Sequence, residues 1–480
     1  SGINLNDRIR DLANITLDGG RLQLIGKVGE ASSEMFNNLI LNDNSSSSVE
    51  SIVSTTGGSS AEWRINSIDR GLTLASEFVR FVGRGAAIGA TTANRIAFTV
   101  APTRSNGIIN YVVIDNEIGG LQFATHRIPA GVAAATEYFG LLDVYNATTA
   151  PLVGLGSFAT TLAGATATSN VRLSASEAVT GATTANALLL ANGTIVVSGD
   201  PLTLGSGLVA STGTGNEVSV TTLTLGGADA NLFVDEDGSL NVSSAVSGAI
   251  GVNEVQRFVI GGTPTDATTT FTITYSGQTT ANITWSATAA TTAANIQAAL
   301  EALSNVGASN VQVNLENTLA FTITFVGALG GINQPAITSA LVNAAGATAP
   351  VITEIQAGNI GNLGKQGSGA LTMSGAGANT FVAVTRVNEG VFRAEKNTAF
   401  GTTAGGVNVT YGATVELDGG LTIAAETMTL NGNGESNVGA IPLRNASGTN
   451  TWQGNVVLNN NRTAINVLTG SELIINGVVS

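Results

Sequence analysis

The chain has 480 residues, of which 11% are charged, with a net charge of −14 and no Cys. That length allows a large core or several domains. The acidic balance, with lysine only at Lys27, Lys365 and Lys396, excludes the basic patch that nucleic acid or an anionic bilayer would require. Without Cys there are no disulfides to stabilise an extracellular protein. No run approaches the roughly 20 apolar residues of a membrane span. Glycine is abundant at 60 residues, yet 43% of residues are hydrophobic. They fall in strand-like alternation, which argues against disorder.

The first block, residues 1–252, reads as β-solenoid. Asn6-Asp7-Arg8-Ile9 leads into ITLDGGRLQLIG, and INSIDRGLTLASEFVRFVGRG follows. Turn glycines separate short alternating runs, which is the pattern of half-buried strands. Residues 108–140 lack clean alternation and hold aromatics and the only His, His126. A protruding, irregular loop region is expected there. Internal echoes favour coil repetition. Leu17-Asp18-Gly19-Gly20 returns at 417–420, Gly-Ala-Thr-Thr-Ala-Asn occurs at 89–94 and 181–186, and Leu-Thr-Leu-Gly at 202–205 and 223–226. Their irregular spacing indicates a degenerate solenoid.

Residues 253–358 break this pattern. A run rich in Thr, Phe and Ile at 269–275 precedes AATTAANIQAALEAL at 289–303. Ile296, Leu300 and Leu303 recur at helical spacing, Thr291 or Thr292 can cap the start, and Gly307 follows the end. Strand patterns resume at 311–315 and 319–325. A small inserted α/β module is expected, with its own core.

The final block, 359–480, alternates most clearly. Val407, Val409 and Tyr411 alternate, as do Val415 and Leu417, Leu421 and Ile423, and Met428 and Leu430. The turns between them are too short for crossover helices. Within it, GSGALTMSGAGANTF (367–381) and VNEGVFRAEKNTAFGTTAGGVNVTYGATVELDGG (387–420) carry a Gly-rich strand, an Asn-Thr-aromatic step, a V-N-x-G-x-F strand, an A-F-G turn and a G-A-T-x-x-L strand, in that order. This stretch resembles the autotransporter-associated β-strand repeat of giant bacterial extracellular and surface proteins. The resemblance implies a right-handed parallel β-helix, secreted or displayed on the cell surface, without catalytic activity. The first block resembles the long repeat units of such proteins more loosely. Asn253-Glu254-Val255-Gln256-Arg257 and TFVGALGG (324–331) resemble the limits of a domain that recurs in them.

The densest acidic cluster is Asp235-Glu236-Asp237-Gly238, with Asn241 close behind. Alternating oxygen ligands before a turn glycine are what Ca²⁺ requires, so Asp235, Asp237 and Asn241 are the metal candidates. The full twelve-residue calcium loop is missing, and the same residues also read as a solvated β-turn between Val234 and Leu240. His126 stands alone, so a triad or His-based metal site would have to be built around it. Carboxylates are scattered, unlike the clustered pairs of glycan-cleaving sites.

Together these features describe a mainly β chain, a parallel β-helix or solenoid with a small inserted α/β module. The expected role is structural or adhesive, in a bacterial surface, fibre or matrix protein, and not enzymatic. The alternative is a carbohydrate-binding or carbohydrate-cleaving β-helix. Expected partners are neighbouring repeats or further copies, joined head to tail, and surface polysaccharide. Strand-like sequence close to both termini reads as part of a longer protein.

Overall fold

The computed structural model describes residues 8–42, 45–55, 57–70, 77–89, 93–117, 119–127, 140–145, 158–248 and 251–480. The chain is mainly β, and two of its long sheets, of eleven and nine strands, are all-parallel and stacked in register. It divides into two compact units, one formed by Ser1–Ser247 with Asn362–Ser480, the other by Gly248–Gly361.

The first unit contains two coiled stacks. In the first stack, successive strands join two parallel rows alternately. One row is Ile15–Leu17, Ala31–Leu41, Ser60–Asp69 and Asn94–Phe98; the other is Arg21–Ile25, Ser46–Ile52, Phe78–Arg84 and Val112–Asn116. Alternation drives the arrangement. Trp63 and Ile65 turn inward between polar neighbours, and Phe36 meets Trp63 edge-on with ring centroids 5.7 Å apart. The far end is closed by two antiparallel strands, Gly120–Arg127 and Gly140–Val144, which join the two rows into one barrel-like sheet of ten strands. Part of the segment expected as an irregular loop is therefore strand. Residues 112–116 and 121–126 lack the usual alternation because both faces are largely covered, as in Val112, Val113 and Ile114. Residues 118 and 128–139 of that segment lie outside the described residues.

The second stack begins after the first and resumes after the inserted unit. One of its sheets runs from Asn170–Leu173 through Thr183–Leu190, Leu202–Ser211, Asp229–Val234, Asn362–Gln366, Val384–Val387, Val407–Val409 and Met428–Leu430 to Val456–Leu458. A second sheet of nine strands runs beside it, from Glu177–Val179 to Ile465–Val467. All of these pairings are parallel; Asp229, for example, pairs with Asn362 across the whole insertion. Val415, Leu417, Leu421, Ile423, Met428 and Leu430 are all buried. Phe392 stacks on Phe400, which meets Trp452 edge-on, so aromatics bridge successive coils. Tyr411 departs from the alternation read in the sequence. The strand ends at Val409, Gly412 turns the chain at a φ of 83°, and Tyr411 is 71% exposed.

The block read as one solenoid over 1–252 thus holds the first stack and the opening coils of the second. The inserted unit, at 248–361, is close to the limits read from sequence. It has antiparallel sheets ordered Val311–Asn317, Ala320–Phe325, Val255–Gly262, Ala347–Gln356, and a second group around Thr270–Tyr275. Its helix, Ala289–Glu301, buries Ile296 and Leu300 against Phe258, Phe271, Phe321 and Phe325. Among the described residues no helix is long and apolar enough to cross a membrane.

Candidate functional site

Strand alternation gives the second stack an outer face as well as a core. On its first sheet the outward positions change character along the stack. Ala187, Leu189, Leu208, Ala210 and Phe233 are apolar and share a core with the first stack. Further along they become Asn408, Thr410, Thr429, Asn431 and Asn459.

The first stack is seated on the apolar part. Phe78 stacks on Phe233, Arg80 pairs with Asp235 at 3.0 Å, Arg70 pairs with Asp229 at 3.2 Å, and Ser46 Oγ donates to Glu389 Oε2 at 2.7 Å. The polar part stays open. Between it and the turn residues Asp18, Gly19, Asn42 and Ser45 of the first stack lies a groove of about 510 Å³. Its floor is ordered. Asn459 Nδ2 donates to Asn431 Oδ1 at 2.8 Å, and Asn431 Nδ2 donates to Asn408 Oδ1 at 2.7 Å. Thr410 Oγ1 donates to the Val387 and Asn388 carbonyls, 3.0 Å each. Tyr411 stands at the groove, its ring close over Gly432. Among the described residues, Asp18 is the charged one in the lining.

The sequence candidates lie elsewhere. Asp235 is committed to Arg80, and its Oδ1 also accepts the Glu236 N–H at 2.9 Å. Asp237 occupies the exposed turn at a φ of 57°. Asn241, on Ser239–Val242, accepts the Ser374 hydroxyl at 2.7 Å. Arg80 thus supplies the positive charge that Asp235 faces, where the sequence pattern left room for Ca²⁺. Among the described residues no group of three His, Asp or Glu side chains is placed to hold a metal. His126 lies in the closing pair of the first stack, with Nε2 2.9 Å from the Pro102 carbonyl. Burial, aided by Arg104, holds its pKa below the ordinary value.

Three ionisable side chains in the second stack were given no role by the sequence reading. Lys365 sits between Leu232 and Val387 in an inward row and is 1% exposed. Its Nζ donates to the carbonyls of Gln366, Gly367 and Glu389, and burial pushes it down to about 7 against the opposing pull of Glu389 and Glu435. Lys396 donates to the Ser244 and Gly377 carbonyls, and burial lowers it to about 8. Glu426 is 2% exposed, its Oε2 has no hydrogen-bond partner among the described residues, and burial raises it to about 8. None of the three is among the residues that line the groove.

Compared with known proteins, the chain matches no family model, no curated protein and no solved structure.

Proposed function

We propose that this chain is a structural and adhesive segment of a secreted or surface-displayed bacterial protein, whose coils continue end to end with neighbouring repeats or with further copies. The observation that carries the reading is the edge of the last coil. Ile465–Val467 and Glu472–Ile475 pair on one side only among the described residues. In the same coil Ile474 is 38% exposed and Val478 is 64% exposed. Such an edge offers backbone donors and acceptors, with apolar side chains beside them, to a matching coil. A rod of this kind resists extension because the ladder bonds of each coil share the load.

Light scattering over a range of concentrations tests the self-association arm. The expected result is a mass that grows with concentration and elongated particles. Ile474→Lys puts a charge on the edge and should hold the chain as a monomer. A wild-type chain that stays monomeric at every concentration would overturn assembly from separate copies.

A further inference from the structure

The groove carries an inference that rests on the adhesive half of this reading and gives it a ligand class. We infer that it binds a linear, neutral glycan, with Tyr411 as the stacking platform and Asn408, Asn431 and Asn459 as the hydrogen-bonding track.

The argument begins with the lining. Amides and hydroxyls dominate it, and each both donates and accepts, as sugar hydroxyls do. A nucleotide or phosphorylated ligand would need cations, whereas among the described residues the charged one in the lining is Asp18. In a chain of net charge −14 that carboxylate also repels uronates and sulfated sugars. A neutral sugar is left as the ligand whose chemistry the surface matches.

Spacing gives the second argument. Thr410, Asn431 and Asn459 follow Val409, Leu430 and Leu458, which are aligned on successive parallel strands. Neighbouring strands in a sheet are about 4.8 Å apart, close to the length of one hexose unit in an extended chain. A linear glycan lying along the stack axis would therefore meet one polar side chain per sugar.

Preorganisation gives the third. The amide chain from Asn459 through Asn431 to Asn408 fixes each side chain before any ligand arrives. Among the described residues it leaves the Asn408 amide hydrogens and the Asn459 carbonyl oxygen available, donors at one end of the track and an acceptor at the other. Side chains already held in place lose little entropy on binding. Tyr411 adds an apolar ring with a polar tip. One side of the ring lies over Gly432, where a Cβ would come within 3.0 Å of it, while the side chain as a whole stays exposed. An aromatic ring held against bare backbone and open to solvent on its other side is suited to stack on a sugar ring.

Isothermal titration of the full chain with cellohexaose, maltohexaose and hexagalacturonate tests the inference. At least one neutral oligosaccharide should bind, and hexagalacturonate should bind more weakly. Tyr411→Ala and, separately, Thr429→Arg, which projects a long side chain into the groove, should each weaken binding by about tenfold or more, with the thermal midpoint of unfolding unchanged. Absence of binding by both neutral probes would overturn the inference. So would tighter binding of hexagalacturonate, or affinities that both variants leave unaltered. Failure here leaves the rod reading standing, since scattering tests that separately.

Discussion

Phe78 and Phe233 lie ring on ring, with centroids 5.3 Å apart and planes 21° from parallel, and together they seat the first stack on the second. Both side chains are fully buried, although each belongs to the outward row of its own strand. Phe78→Ala should therefore cost about 3–5 kcal/mol, the range for a buried aromatic, read from urea unfolding. In a double-mutant cycle with Phe233→Ala, the coupling should be about 0.5–1.5 kcal/mol. Additive effects would show that the two rings are seated independently.

Stability should depend on pH through two buried groups of opposite sign. Burial raises Glu426 from 4.5 to about 8, so the fold keeps a proton that the unfolded chain releases. Its contribution is fully present below about 4.5 and is lost as pH rises through about 8. Lys365 is lowered from 10.5 to about 7, so the unfolded chain holds the extra proton and stability rises between those values. Glu426→Gln should abolish the fall and exceed wild type above about pH 8 by on the order of a few kcal/mol. Lys365→Met should remove the rise at alkaline pH. Urea midpoints across the pH range check both slopes.

Close approach between coils makes certain glycines irreplaceable. A Cβ at Gly454 would overlap the Glu426 carbonyl, and one at Gly405 the Ala383 carbonyl. Gly454→Ala should cost about 1–3 kcal/mol or more, as overpacking does. Gly20 has nothing within 4 Å of the same position and a φ outside the left-handed range. Gly20→Ala should stay within about 0.5 kcal/mol of wild type. Thermal melts of the two variants give the comparison.

Removal of the inserted unit should leave the coils intact. Gly251 and Val252 pair antiparallel with Ile360 and Asn359, so the chain leaves and returns at adjacent points. The unit has its own core around Phe258, Phe271 and Ile296. A variant with residues 248–361 replaced by a short Gly-Ser link should keep a single cooperative transition by circular dichroism. A broad, non-cooperative melt would show that the coils depend on the insertion.

The core of the second stack was legible because period-two alternation with short turns admits few other folds. Val415, Leu417, Leu421 and Ile423 could be assigned to the interior from spacing alone. The helix of the inserted unit was legible for the matching reason, as Ile296 and Leu300 recur at helical spacing. The closing pair at 120–127 and 140–144 was not, because strands covered on both faces lose their alternation. Lys365 was hidden by its charge, which argues for an outward position until turn carbonyls are found to receive it. The groove was illegible because Asp18 and Asn431 meet only after two stacks have folded and docked. Tyr411 was misplaced for a local reason, since the strand ends at Val409, before its alternation would have buried Tyr411.

The seating of one stack on the other also bears on how such a protein can change length. Duplicating a coil of the second stack beyond Met428–Leu430 would lengthen that stack by one step of about 4.8 Å and extend the amide row by one position. Duplicating a coil between Phe78 and the closing strands would leave Phe78 in place. Duplicating one between Asp235 and Asp229's partner Asn362 would shift Glu389 away from Ser46. A coil added beyond the docking site would thus leave the contacts of Phe78, Arg80 and Ser46 in place, whereas one added within it would part Ser46 from Glu389.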